Sequence, residues 1–314
     1  MTQMTPGQTR IIDPILTNHF RGFRDQTMVA ESLFPRAPVA AYGGTIITFG
    51  KEAFRRYATR RAPGTNTKRM TFGYEGDKYA ITPKALEAPV PRELMRDASQ
   101  VPGIDLGARA VNVVGRVMAR DLEVEAATLA LNASAYDANG KIELSGQNRW
   151  SGTSGDPLKD VEQACAEIEA RTGMRPNRVL LSRTAFAACR HAAKVVERFK
   201  YTSAESITTA MLAAIFDVES VVVGRGVQAT GANDAFSSIW GDDVVVAYVG
   251  PVNSAVEEPS CGYTYTIEGH PLVEAPYWDN SAKSWIYGVA DDCVPVVASR
   301  DAMFLIKDAG AAPS

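Results

Sequence analysis

Histidine is scarce in this chain, with three in 314 residues. His19, His191 and His270 lie far apart and lack ligand spacing, so they read as satisfied or surface residues and no metal site is expected. Cysteine is almost as rare. Cys165, Cys189, Cys261 and Cys293 form no CxxC pair, which argues for free thiols in a reducing compartment over disulfides or metal ligands. No window approaches 18 uninterrupted apolar residues and the opening MTQMTPGQTR has no apolar run, so neither a membrane span nor a signal peptide is visible. Charge of either sign is not in excess: 33 Lys and Arg stand against 36 Asp and Glu. Nothing therefore marks the whole chain as a nucleic-acid binder. The composition is that of a globular protein made in cytoplasm.

Catalytic signatures are also missing. Gly224-Arg225-Gly226-Val227-Gln228-Ala229 imitates a dinucleotide fingerprint, but Thr230-Gly231-Ala232-Asn233-Asp234 follows where a helix should open, so it reads as a turn. Gly44 to Lys51 is one residue too long for a P-loop, with Glu52 where a hydroxyl should bind magnesium. Ser151–Gly155 contains no Gly-x-Ser-x-Gly elbow. The pairs Asp242-Asp243, Glu257-Glu258 and Asp291-Asp292 flank expected strands, where solvated turn residues are the usual case. No credible active site or cofactor follows.

The chain is instead organised around residues 106–131, which predict one long helix. Arg109, Arg116, Arg120 and Glu123 form a narrow charged stripe, and about half of the remaining circumference is apolar. Asp105 suits the N-cap and Asn132 the end. At 1.5 Å per residue the helix would be about 39 Å long, so a sheet or other elements must run along it. Gly115 inside it costs about 1 kcal/mol relative to alanine and points to another backbone passing close by. Glu125 lies in the apolar arc and requires a partner.

On either side the pattern changes. Residues 1–40 hold apolar side chains with little local sequence to pack on, which predicts an arm lying on another surface, its own or a neighbour's. A helical stretch through Phe20–Phe34 is ended by Pro35 and Pro38. Residues 41–90 read as a long β excursion turning at Pro63-Gly64. Asp156-Pro157 opens a helix that Gly173 closes, and residues 176–250 then alternate α and β, with Ser182 opening a helix that runs through about Phe199. From Cys261 onward everything reads as β, and the long helix is the expected cover for those strands.

The excursion carries Lys51, Arg55, Arg56, Arg60, Arg61, Lys68 and Arg69 against a single acid, Glu52. A two-stranded ribbon is marginal alone, so it is expected to lie over a neighbouring subunit whose Asp242, Asp243, Glu257 and Glu258 meet these cations. The other reading is a nucleic-acid grip by residues 51–69, although its aromatics, Phe54 and Tyr57, both sit before the tip and only Tyr57 is placed to stack on bases.

Taken together, the phrases DPILT (13–17), VAESLFPRAPV (29–39), FGKEAFRRYATRRAPG (49–64), EAPVPRELMRDA (87–98), PGIDL (102–106), RPNRVLLSRTAFAAC (175–189) and LAAIFDVESVVVG (212–224) resemble the major capsid proteins of tailed bacteriophages, whose shell fold is shared with encapsulins. The resemblance implies an α+β phage capsid shell fold. Its parts would be an N-terminal arm (1–40), an extended β-hairpin loop (41–88), a peripheral domain (89–155 and 255–314) with a spine helix packed on a β-sheet, and an inserted α/β axial domain (156–254). It implies a non-enzymatic subunit forming the hexamers and pentamers of an icosahedral head, assembled in the host cytoplasm and residing in the virion. Implied partners are further copies of itself, a scaffolding protein, a portal, decoration proteins, and packaged double-stranded DNA held without sequence-specific contacts, with no membrane. The arm begins almost at once, so scaffolding is either a separate protein or already removed. Within the same fold the alternative is an encapsulin-like nanocompartment holding a cargo enzyme. From other classes, the alternatives are the nucleic-acid binder above and a soluble enzyme with its site in the α/β insert.

Overall fold

The computed structural model describes residues 12–22, 27–45, 60, 78–98, 105–199, 207–230, 235–251 and 260–313. In chain order these form α1 (Pro14–Gly22), α2 (Ala30–Leu33), β1 (Arg36–Val39), β2 (Gly43–Thr45), β3 (Lys78–Ala80), β4 (Ala85–Pro91), α3 (Arg92–Ala98) and α4 (Leu106–Ala130). Then come β5 (Lys141–Glu143), α5 (Pro157–Thr172), β6 (Arg178–Ser182), α6 (Arg183–His191), α7 (Ala193–Phe199) and α8 (Thr209–Phe216). After them run β7 (Ser220–Gly224), β8 (Val227–Thr230), β9 (Ala235–Ser238), β10 (Val244–Ala247) and β11 (Gly262–Ile267). The last strands are β12 (Leu272–Val273), β13 (Tyr277–Asp279), β14 (Ser284–Ala290), β15 (Cys293–Val297) and β16 (Met303–Lys307).

Side-chain caps set the helix starts. Asp105 accepts the Ala108 N–H at 3.0 Å, Asp156 accepts that of Lys159 at 3.3 Å with Pro157 in the first turn, and Ser182 accepts that of Ala185 at 3.1 Å. Gly173 ends α5 in the left-handed conformation, φ 68°, where a side chain would be strained. The helix expected through Phe199 divides at Ala192 into α6 and α7. Thr208 caps α8, accepting the Met211 N–H at 3.3 Å.

A five-stranded mixed sheet, ordered β5-β16-β10-β6-β7, forms the larger core. Strand β10 is antiparallel to both neighbours, pairing Val244 with Leu181 on one side and with Ile306 on the other. Its four residues are all fully buried because helices cover both faces, so the strand reads as an unbroken apolar run. On one face Val179, Leu181, Val244, Val246, Phe304 and Ile306 meet α5 through α8. On the other, Leu180, Val245 and Leu305 meet Ala126, Ala127 and Ala130 of α4 together with Leu33 and Phe34. The sequence reading assigned all strands after Cys261 to the long helix; β16 instead completes this sheet, and β5 joins it from upstream. The cause is burial on both sides: Met303 to Ile306 are at most 1% exposed, which a sheet covered on one face alone would not provide.

Helix α4 therefore serves more than one sheet. Its C-terminal alanines lie on the five-stranded sheet, while Ala110, Val111 and Val114 pack on Val90, Tyr287 and Val289 of a second sheet formed by β4, β12, β13 and β14. The close approach at Gly115 is a ring, not a backbone: a Cβ there would run into Phe20 of α1. The arm lies on its own chain where it is described. Leu33 and Phe34 are fully buried, and β1 adds in parallel to β11 in a third sheet with β15. Of the β excursion, the root and Arg60 are described. At the root Gly43–Thr45 pairs with Lys78–Ala80, and Tyr79 stacks on Tyr265 with centroids 4.3 Å apart. The expected turn at Pro63-Gly64 lies outside the described residues.

Candidate functional site

Among the described residues no group of three or more His, Cys, Asp or Glu could hold a metal ion. The cysteines are free and buried. Burial pushes the Cys165 thiol up to about 11 and those of Cys189, Cys261 and Cys293 up to about 12, so none is a thiolate at neutral pH. The turn after Gly224 runs into β8 with no helix behind it, and the floor under Gly224 is the Trp240 indole. A pyrophosphate would find no helix N-terminus there.

Of the residues expected to meet a neighbour, Lys51, Arg55, Arg56, Arg61, Lys68, Arg69, Glu257 and Glu258 lie outside the described residues. Arg60 is described and exposed. Asp242 and Asp243 are half-buried beside the turn that follows β16. Thr184 Oγ1 donates to Asp242 at 2.7 Å, and the Asp308 N–H donates to Asp243 at 2.7 Å. Burial pushes the Asp243 carboxyl above the ordinary aspartate range, and the Asp308 and Asp242 charges push the same way against the Asp308 N–H.

Two polar centres escaped the sequence reading. Glu123, placed there in the charged stripe, is completely buried. Its carboxylate accepts the Val29 N–H at 2.9 Å, the Ala30 N–H at 2.7 Å and the Trp240 indole N–H at 2.6 Å. One side chain thus ties the arm, α4 and the segment leading into β10. Burial raises its carboxyl above the ordinary glutamate range, and these donors pull it back down. The only advance signal was a lone acid among three arginines.

The second centre corrects the expectation that Asp291-Asp292 is a solvated turn: the two residues are 7% and 5% exposed. Arg36 donates to both Asp291 oxygens at 2.9 and 2.8 Å. Asp292 accepts the Tyr42 hydroxyl at 2.7 Å and the Lys84 N–H at 3.1 Å, while its own N–H donates to His270 Nδ1 at 3.2 Å. The Lys84 ammonium reaches Glu125 at 2.6 Å and Asp121 at 3.1 Å, supplying the partner Glu125 required. Tyr42 precedes β2 and Lys84 follows β3, so one buried acidic turn holds both ends of the excursion. Apolar side chains remain in solvent elsewhere, above all Ile15, 80% exposed, and Phe236, 78% exposed.

This arrangement of helices and sheets is the fold shared by phage capsid proteins and encapsulins. The chain superposes on the capsid protein of cyanophage P-SCSP1u with a TM-score of 0.60 at 9% identity, covering 98% of this chain and 92% of that one. For the encapsulin of Synechococcus elongatus the TM-score is 0.53 at 14% identity, covering 98% and 91%. A phage-related protein from Bordetella bronchiseptica matches with a TM-score of 0.84 and 58% identity, covering 97% of this chain and all of that one. In sequence, the major capsid protein of Burkholderia phage BcepMu is 31% identical over 303 residues, 95% of this chain and 96% of its own length. The family described as phage major capsid protein E matches residues 133–286. The chain belongs to the phage major capsid protein family. As such it is a structural subunit of the virion that assembles with itself into a shell.

Proposed function

We propose that the subunit assembles in the host cytoplasm into the hexamers and pentamers of an icosahedral head around double-stranded DNA, with a scaffolding protein, a portal and decoration proteins as partners. The observation that carries this is likeness over nearly the whole chain, 95% of it, to a phage major capsid protein, not a local motif. The same likeness favours a genome over an encapsulin's cargo as the content of the shell, and a structural role over catalysis.

In this reading residues 1–40 are the arm and 41–88 the extended loop. Residues 89–155 and 255–314 form the peripheral domain around α4, and 156–254 form the axial domain, whose sheet draws in β5 and β16. The cations Lys51, Arg55, Arg56, Arg60, Arg61, Lys68 and Arg69 lie over a neighbour and meet Asp242, Asp243, Glu257 and Glu258. Its support is the run of seven cations against a single acid, Glu52, between residues 51 and 69. Each such pair is worth about 0–1 kcal/mol at a rim, so many must act together. The double variant Arg60→Glu/Arg61→Glu is expected to fold but to form no shells by electron microscopy. Normal shells from that variant would reject the contact, whereas a wild-type protein that stays monomeric even with a scaffold would reject the shell.

A further inference from the structure

The β8–β9 ribbon is built inside out. Among the described strands it pairs with no other, and its register sets Val227 opposite Ser238 and Ala229 opposite Phe236 on one face. Those four residues are exposed, Phe236 above all, while Gln228 and Ser237 on the other face are half-buried. An antiparallel sheet with one wet face normally turns its polar side chains to the water. Here the polar side faces the subunit and the apolar side faces solvent. Two strands without a covering layer are marginal, so the exposed side of this ribbon marks a contact surface. A matching concavity lies elsewhere on the chain. Between β4 and α4, Ala85, Leu86, Val117, Met118 and Leu122 line an open cavity of about 360 Å³, beside the ion pair of Lys84 and Asp121. Leu86 and Val117 are exposed there. Ribbon and cavity lie on opposite flanks of α4. Gly226 and Trp240, which bracket the ribbon, pack beside Glu123. At 3.6 residues per turn, Glu123 points about 170° away from the mean direction of Val117, Met118, Asp121 and Leu122.

We infer that the ribbon of one copy seats Phe236 in the α4–β4 cavity of the next copy, a head-to-tail contact. The inference rests on the shell reading above and adds which two surfaces meet. A second copy is the occupant because every subunit exposes this ribbon, so its cover must be as numerous as the subunit, and in a shell made of this chain that is the chain itself. Projection and cavity are both apolar, and an aromatic anchor in an apolar pocket is the usual centre of a contact between proteins. Their placement on opposite flanks of one helix leaves each copy able to give a ribbon on one side and receive one on the other. That is the condition for a heterologous contact to repeat around a closed ring.

The test uses the full chain, with shells followed by electron microscopy. Phe236→Ser removes the projection. Its subunit is expected to melt within about 1 °C of wild type, since an exposed side chain adds little to its own fold. The protein concentration needed for shells is expected to rise by about tenfold or more, the effect of losing a buried anchor. To locate the contact, Phe236→Cys/Leu86→Cys is oxidised with diamide in a Cys293→Ala background, which removes the thiol already lining the cavity. The control, Phe236→Cys/Leu94→Cys, places the second thiol on exposed Leu94 of α3. The Leu86 pair should give linked chains longer than a dimer, and the control none. A Phe236→Ser subunit that melts several degrees lower assigns the ring to its own chain and overturns the inference. Shells from Phe236→Ser at the wild-type concentration, shells of the Leu86 pair without cross-links, or cross-linked dimers alone overturn it too. A wild type that stays monomeric even with a scaffold counts against the shell reading, and cross-linking of the concentrated Leu86 pair still decides the ribbon, its absence rejecting the contact.

Discussion

Replacing Glu123 by glutamine keeps the shape of the side chain and turns one acceptor oxygen into a donor. The two carboxylate oxygens accept Val29 and Ala30 N–H groups and the Trp240 indole N–H, all between 2.6 and 2.9 Å. In the amide one oxygen remains, so either the Ala30 N–H or the Trp240 N–H faces an NH₂ group. A buried donor left unsatisfied costs about 1–3 kcal/mol, and the surviving bonds fall from charge-assisted to neutral strength, about 1 kcal/mol each. Against this, glutamine relieves the burial of charge that raises the wild-type carboxyl. The net loss is expected to be about 2 kcal/mol, or about 3 °C in the melting temperature of a subunit this size. Calorimetry of the unassembled subunit measures it, and a cycle with Trp240→Phe isolates the indole bond. Glu123→Gln and Trp240→Phe should be non-additive by about 1 kcal/mol or more. A melting temperature within 1 °C of wild type, or strict additivity, would refute the account of Glu123 as the tie between arm and sheet.

Asp156 gives a pH-dependent prediction. Burial raises its carboxyl, but the Lys194 ammonium and the Lys159 N–H outweigh that and hold it below the ordinary aspartate range. A lowered folded value contributes stability above the unfolded value, near 3.8, which is lost as pH falls through the folded one. Asp156→Ala should therefore cost about 1 kcal/mol at neutral pH by denaturant titration, with the difference from wild type shrinking below about pH 4. A difference of equal size at pH 7 and pH 3 would contradict this. Gly115→Ala should lose about 1–2 kcal/mol, because overpacking against the Phe20 ring exceeds the gain in helix propensity of about 1 kcal/mol. In a Phe20→Ala background the same change should become stabilising; continued destabilisation there would point to a different obstacle.

Much of the fold was legible because its signals are local. Asp105, Asp156, Ser182 and Gly173 each do at their own positions what their chemistry predicts, and the apolar runs at 178–182 and 244–247 need no distant information to read as buried strands. What escaped depends on partners far away in sequence. The acid at Glu123 shares a helical face with arginines, and only the approach of Val29 and Trp240 makes it a core residue. Asp291 and Asp292 look like turn acids until Arg36, Tyr42 and Lys84 arrive from more than 200 residues upstream. Strand β16 lacks a neighbouring helix in sequence and borrows cover from both sides of another sheet. The overall subunit type could be read from phrases along the whole chain. The contacts of the basic excursion could not, because they lie between chains.

Strand β16 also sets a timetable for synthesis. It stands between β5 and β10, pairing Leu305 with Lys141 on one side and with Val245 on the other. A nascent chain that has already made α5 through β10 still holds an open edge on β10, and β5 waits unpaired beside it. The larger core cannot close until Lys307 has been made, 164 positions after its partner Glu143. Such long-range pairing is slow by nature. A nascent subunit that still lacks residues 303–307 is accordingly an incomplete building block, and the half of the molecule built on this sheet becomes competent for assembly only once β16 is in place.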